Sequence, residues 1–227
     1  MDIKEILSNV CGTQVLNEHL IEVKYSDKFN KFNANIKYYK ANKHIVFHLS
    51  RKWEGVSDEI KAGLLQSLAV KLFRRSNFLI TTDTVNIQLY NLFMKNLSAV
   101  AERKESDDIL IAIYKELNER YFQGLMDMPN LVLGSNTFRK LGCYEYATDT
   151  VTISSVLQNA PKELIASVVY HELLHKKHKF NVKNGKSFHH TPEFKKDETL
   201  FENYQQVENQ LKKYLSTKKR RFSWFHF

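Results

Sequence analysis

His171-Glu172-Leu173-Leu174-His175 is the stretch on which the reading of this 227-residue chain turns. Two histidines four positions apart fall on one face of a helix, one turn from each other. Neutral imidazole nitrogens are good zinc ligands. Glu172 is offset by about 100° around the helix, so it can approach a zinc-bound water without itself ligating the metal. Zinc brings the pKa of such a water to about 7. A carboxylate in that place can take the proton and later deliver it to a leaving amine.

The residues before the motif say where the helix sits. Leu164, Ile165, Ala166, Val168 and Val169 precede it, and Leu173 and Leu174 lie within it. The pattern predicts a helix from Pro161 to about Lys179 that is apolar on most faces and therefore interior. Pro161 suits a first turn, where no N–H is needed. Two histidines and a glutamate in such a helix are costly unless something satisfies them, and a metal ion would.

A catalytic zinc needs a third protein ligand. Downstream stand His178, His189, His190, Glu193, Glu198 and Glu202. His178 shares the face of His171 and His175, but three ligands on one straight helix rarely converge on one ion. Glu193, with Asp197 after it, offers a carboxylate on a following helix. His190, just ahead of Thr191-Pro192-Glu193-Phe194, offers an imidazole at the mouth of that helix.

With these residues in view, the run from Val168 to Phe201 resembles the SprT-like zinc metallopeptidases, which include the Spartan proteases. Their pattern is His-Glu-x-x-His, a spacer, then His-Gly-Pro-Glu-Phe. Here fourteen residues separate His175 from His190, and His190-Thr191-Pro192-Glu193-Phe194 overlays the second motif. The resemblance reaches upstream through Leu141-Gly142-Cys143-Tyr144 and Thr152-Ile153-Ser154, covering about residues 108 to 215. It implies one zinc per chain held by His171, His175 and His190, with Glu172 as general base. It implies that Phe194 packs the last helix onto the active-site helix, and that the substrate is a protein or peptide. Thr191 replaces the usual glycine, and His189 is an extra histidine, so His189 and Glu193 stay open as alternative ligands. Peptide substrates of such enzymes often lie along a sheet edge. Val151, Ile153 and Ser155, leading to the active-site helix, are the expected edge.

Around this segment the chain reads as α+β, mostly helical, with the active-site helix packed on a small antiparallel sheet or hairpin. An extended segment at residues 20–25 and a hairpin over residues 33–50 come first. A helix from Ser57 to about Arg75 and another from Val85 to Arg103 follow. A helix over Ile109–Phe122, with Ile109, Ile113, Leu117 and Tyr121 in register, leads to a short strand at Leu131–Leu133. A hairpin over Thr137–Ser155 precedes the motif helix, and a last helix is expected from Pro192 to Leu215. The charged run Glu102–Asp108 marks the expected boundary between residues 1–106, of unassigned role, and a metallopeptidase domain over 107–227. Tyr38, Ala41, Ile45 and Phe47 can be laid over Tyr144, Ala147, Val151 and Ile153, which puts Ser67, Leu68 and Lys71 at the positions of His171, Glu172 and His175. So degenerate an overlay carries little weight, and two ordinary hairpin–helix segments are the favoured reading.

Composition bounds the rest. Hydrophobic residues form 43% of the chain, with only 7 Gly and 3 Pro, so a folded core is expected rather than a low-complexity chain. Cys11 and Cys143 are too few for a disulfide framework or a cysteine zinc site. There is no signal-peptide pattern at the start and no apolar run of the roughly 18–20 residues that span a bilayer, so a cytoplasmic protein with no membrane partner is expected. The net charge of +9 attracts polyanions. Lys218, Lys219, Arg220, Arg221 and Trp224 could meet DNA through charge and stacking; the ordinary alternative is a solvated or packed terminus. Two other functions remain open on these residues: a nucleic-acid-associated protein with a structural or regulatory zinc, and a zinc hydrolase of a non-peptide bond.

Overall fold

Alternation of apolar residues along Ile45, Phe47 and Leu49, and again along Val151 and Ile153, produces two strands buried on one or both faces, each at the centre of its own small sheet. The computed structural model describes residues 2–29, 31–74, 79–101, 106–183 and 186–224. The side chains of residues 14, 15, 99, 100, 183 and 220–224 are not described. The chain forms two compact units, Met1–Asn96 with Val182–Phe188, and Leu97–Asn181 with His189–Phe227. Part of the expected boundary run, residues 102–105, lies outside the described residues.

The first unit runs α1 (Ile3–Cys11), α2 (Thr13–Asn17), β1 (Leu20–Ser26), β2 (Ala34–Tyr39), β3 (His44–Ser50), α3 (Asp58–Phe73) and α4 (Val85–Asn96). Its sheet has the order β1-β3-β2, with β1 parallel and β2 antiparallel to β3. Leu7, Leu16, Phe47, Leu49, Trp53 and Leu65 fill the core beneath it. Ser57 stands at the N-cap of α3 as expected, though its hydroxyl makes no capping bond. Gly63 lets α4 approach α3 closely: a Cβ there would lie 1.9 Å from the Asn86 carbonyl oxygen. Helix α4 is shorter than its periodicity suggested and passes into a 3-10 turn at Leu97–Val100.

The second unit holds α5 (Asp108–Phe122), β4 (Asn130–Gly134), β5 (Gly142–Glu145), β6 (Thr150–Ser154) and α6 (Lys162–His178). Next along the chain comes a ribbon of β7 (Asn181–Lys183) and β8 (Lys186–Phe188), nearly all of it in the first unit, and then α7 (Pro192–Glu198) and α8 (Tyr204–Trp224) of the second. Asp107 caps α5, accepting from the Ile109 and Leu110 amides. The buried face of α5 is Leu110, Ile113, Tyr114 and Leu117; Ile109, expected inside, is exposed. Helix α6 begins after Pro161 and buries Leu164, Val168, Val169, Leu173 and Leu174. The expected last helix is two helices. The chain turns at residues 199–203, where Asn203 takes a left-handed φ of 53° and Phe201 is buried.

The α+β class thus holds, and the antiparallel hairpin under α6, β5 with β6, is extended by a parallel third strand, β4. The order of this sheet is β4-β6-β5, with β4 parallel and β5 antiparallel to β6. This is the order and polarity of the first sheet. The registers coincide as well, Tyr38 opposite Ile45 and Tyr144 opposite Val151. Each antiparallel turn carries a one-turn 3-10 helix ending in a left-handed residue, Lys43 (φ 48°) and Asp149 (φ 43°). Each central strand leads through a second 3-10 turn, ending at the fully buried Trp53 or Leu157, into a long helix, α3 or α6.

Strand β6 is paired on both sides, so Val151 and Ile153, both 0% exposed, cannot receive an added strand. Ser155 lies beyond β6 in a 3-10 turn. The expected substrate edge is therefore corrected: the strand at the sheet's edge next to α6 is β5.

Candidate metal centre

His171 and His175 lie on the third and fourth turns of α6, and His190 comes to them from the segment before α7. One ligand atom from each of the three lies within 4.8 Å of the others. His190 Nε2 is 3.3 Å from both His171 Nε2 and His175 Nε2. Zinc–nitrogen bonds of 2.0–2.1 Å at tetrahedral angles put ligand nitrogens about 3.3–3.4 Å apart, which both distances from His190 match. Among the described residues no other group of three histidine, cysteine or acidic side chains meets this test.

The protonation environment favours ligation. Burial, then the nearby His171 and His190, push His175 down to about 3, which leaves its lone pair available. Burial and His171 also lower His190. For His171 burial works downward, but the hydrogen bond and charge of Glu198, with Glu172, outweigh it and leave the imidazole raised. The Glu198 carboxylate meets His171 Nδ1 at 2.6 Å and so fixes that ring with Nε2 facing the other histidines. Helix α7, capped by the Thr191 hydroxyl and started by Pro192, carries Glu198 to this point. Phe194 is fully buried, with its ring 4.8 Å from those of His175 and His190 and 5.2 Å from that of His171. It holds the two helices together as the resemblance implied.

Glu172 is 6% exposed and faces β5. Burial raises its pKa, outweighing His171, Lys140 and a hydrogen bond from the Tyr144 backbone N–H. Gly142 makes room for it: a Cβ there would stand 2.5 Å from Glu172 Oε1 and 2.7 Å from its Cγ. Beside Glu172 and His171 opens a cavity of about 270 Å³. Leu141, Val168, Val207 and Leu211 give it an apolar floor, and Glu198 and Glu208 add carboxylates.

The remaining expected site residues stand elsewhere. His189 is outside the histidine triad; its ring lies 6.1 Å from that of His175 and 5.9 Å from that of Phe180. Glu193 is exposed on the first turn of α7, away from the triad. His178 binds Asp197 at 2.9 Å, and Glu202 binds Arg120 at 2.6 Å. Lys218 donates to the Val156 carbonyl at 3.2 Å and lies over the Tyr214 ring, so it is engaged within its own unit; Lys219 is exposed. The side chains of Arg220, Arg221 and Trp224 lie outside the described residues. Sequence reasoning passed over Gly142, Lys140 and the orienting role of Glu198, because their relation to the triad depends on a strand and a helix far away in sequence.

No helix among the described residues is long and apolar enough to cross a membrane. No curated protein and no solved structure matches the chain significantly. The model of the SprT-like family, a family associated with zincin-type metalloprotease-like proteins, matches residues 110–216, a stretch containing His171, Glu172, His175, Glu198 and His190. Through these residues that part of the chain matches the SprT-like family.

Proposed function

We propose that the chain is a zinc-dependent metallopeptidase that hydrolyses extended or unfolded polypeptides, with one zinc held by His171, His175 and His190. The observation that carries this reading is the meeting of three imidazoles, with His190 Nε2 3.3 Å from Nε2 of each of the other two, beside a buried glutamate packed on β5. When bound, the zinc supplies Lewis acidity and makes a water acidic enough to ionise near neutral pH.

The protein's own groups carry the rest. Glu198 orients His171 and its charge offsets part of the charge on the histidine cluster. Glu172 accepts a proton at its carboxylate and passes it to the leaving amine, which must depart protonated at neutral pH. Its burial raises its affinity for that proton, outweighing the opposing pull of His171, Lys140 and the Tyr144 N–H. The edge of β5 offers backbone groups to an extended chain, and the neighbouring cavity, about 270 Å³, is large enough for one substrate side chain.

The test is direct. Full-length protein purified with zinc should contain one ion per chain and cleave a labelled unfolded protein such as casein. Glu172→Gln should retain the ion and lose cleavage. Stoichiometric zinc with no cleavage of any unfolded polypeptide, DNA present or absent, would sink the peptidase reading.

A further inference from the structure

We infer that Asp149 and Lys176 form a buried positioning pair that holds the Glu172 carboxylate against β5. The inference rests on the reading of Glu172 as the proton carrier. Lys176 Nζ lies 2.6 and 2.7 Å from the two Asp149 carboxylate oxygens, and the Asp149 side chain is 1% exposed. The Tyr144 hydroxyl donates to the same carboxylate at 2.8 Å. Glu172 packs against Gly142 of β5, where a Cβ would stand 2.5 Å from its Oε1, and the backbone N–H of that same Tyr144 acts on its carboxylate electrostatically. Lys176 follows Glu172 by one helical turn. The four residues therefore form a short circuit: Glu172, along α6 to Lys176, across to Asp149, through the Tyr144 side chain, and back along β5, which Glu172 packs against.

Stability alone gives little reason for this pair. Removing two charges from water costs about as much as their attraction returns, and apolar replacements are often neutral or better. The first unit supplies the comparison. It has the same strand order, registers and turn, with Tyr38 in the place of Tyr144. The left-handed turn residue there is Lys43, and the helix position matching Lys176 is Leu72. The fold forms without the pair. In that unit Leu68 stands where Glu172 stands and Ile36 where Gly142 stands, both within one apolar cluster. The Tyr38 hydroxyl meets His19 Nε2 at 3.2 Å instead of an acid. The ion pair goes with the glutamate, not with the architecture.

Single removal of either partner would leave a buried charge unpaired and threaten folding. The test therefore uses the full-length Asp149→Asn/Lys176→Leu double variant, since asparagine tolerates the left-handed turn. Expected are an unchanged zinc content, a melting temperature within a few degrees, an unchanged KM and a kcat lowered about 10-fold or more. Lys176→Arg, which keeps the pair, should retain most of kcat. By NMR, exchange of the Tyr144 amide proton should quicken about 10-fold or more, while the Val151 and Ile153 amides in the central strand keep their protection. Unchanged Tyr144 exchange overturns the proposal whatever the activity. A native protein that cleaves nothing, with Tyr144 exchange quickened in the double variant, refutes the peptidase reading and leaves the positioning pair standing.

Discussion

Gly142→Ala adds one methyl group, and the structure says where it must go. The new Cβ would stand 2.5 Å from Glu172 Oε1, 2.7 Å from Glu172 Cγ and 2.9 Å from Val168 Cγ1. Normal contacts of this kind are about 3.5–4.0 Å, so Glu172 and β5 must separate by about 1 Å. The backbone at Gly142 is not in the left-handed region, so the effect is steric. A gain of about 0.4–1 kcal/mol from a stiffer unfolded chain is opposed by about 1–3 kcal/mol of overpacking. The expected net is a modest fall in stability. Catalysis should suffer more, because a misplacement of about 1 Å in a reacting group costs on the order of 100-fold. Steady-state cleavage of labelled casein, with zinc content and thermal melts on the same samples, measures all three quantities. Gly134→Ala is the control. Its Cβ would also be crowded, 2.6 Å from Thr152 Cγ2, but on the β4–β6 side of the sheet. It should lower the melting temperature with kcat nearly unchanged. Native kcat in Gly142→Ala, or equal losses in both variants, would refute the claim that this glycine exists to accommodate Glu172.

Four further outcomes follow from the same geometry. His190→Ala should lose zinc while His189→Ala keeps it, as metal analysis of the purified variants will show; zinc loss from His189→Ala alone would reverse the ligand assignment. Glu198→Gln should weaken zinc affinity by about 10–100-fold in a chelator competition, because His171 loses the charged partner that fixes its ring. Asp197 is held below the usual carboxylate range, since hydrogen bonds from Lys177 and His178 outweigh its burial. Its contribution to stability is present above about pH 4 and is lost as pH falls through its lower folded value, so Asp197→Asn in zinc-free protein should flatten the acid limb of a plot of melting temperature against pH. Burial pushes the Cys11 thiol up to about 11, so a thiol reagent at neutral pH should label the half-buried Cys143 and spare Cys11 until the protein unfolds.

What the sequence determined alone is local. The i, i+4 spacing of His171 and His175 and the offset of Glu172 follow from helix geometry, and the apolar residues around them place that helix in a core. The strand periodicity of β3 and β6 and the start of α6 at Pro161 are likewise written in neighbouring residues. Tertiary structure decided what depends on distant partners. Whether His189 or His190 faces the triad turns on the path of the chain between α6 and α7, which no periodicity specifies. Val151 and Ile153 have the pattern of an edge or a centre strand equally; only the pairing of β4 beside them makes β6 central and leaves β5 as the edge. The break at residues 199–203 escaped because helix propensity runs through it, while the burial of Phe201 and the reach of Glu198 to His171 require the turn. The likeness of the two sheets was faint in the sequence, since the side chains differ where their packing partners differ together: Gly142 with Glu172 in one sheet, Ile36 with Leu68 in the other. Backbone register and turn conformation tolerate such paired differences, so the likeness is legible in the fold and barely in the letters.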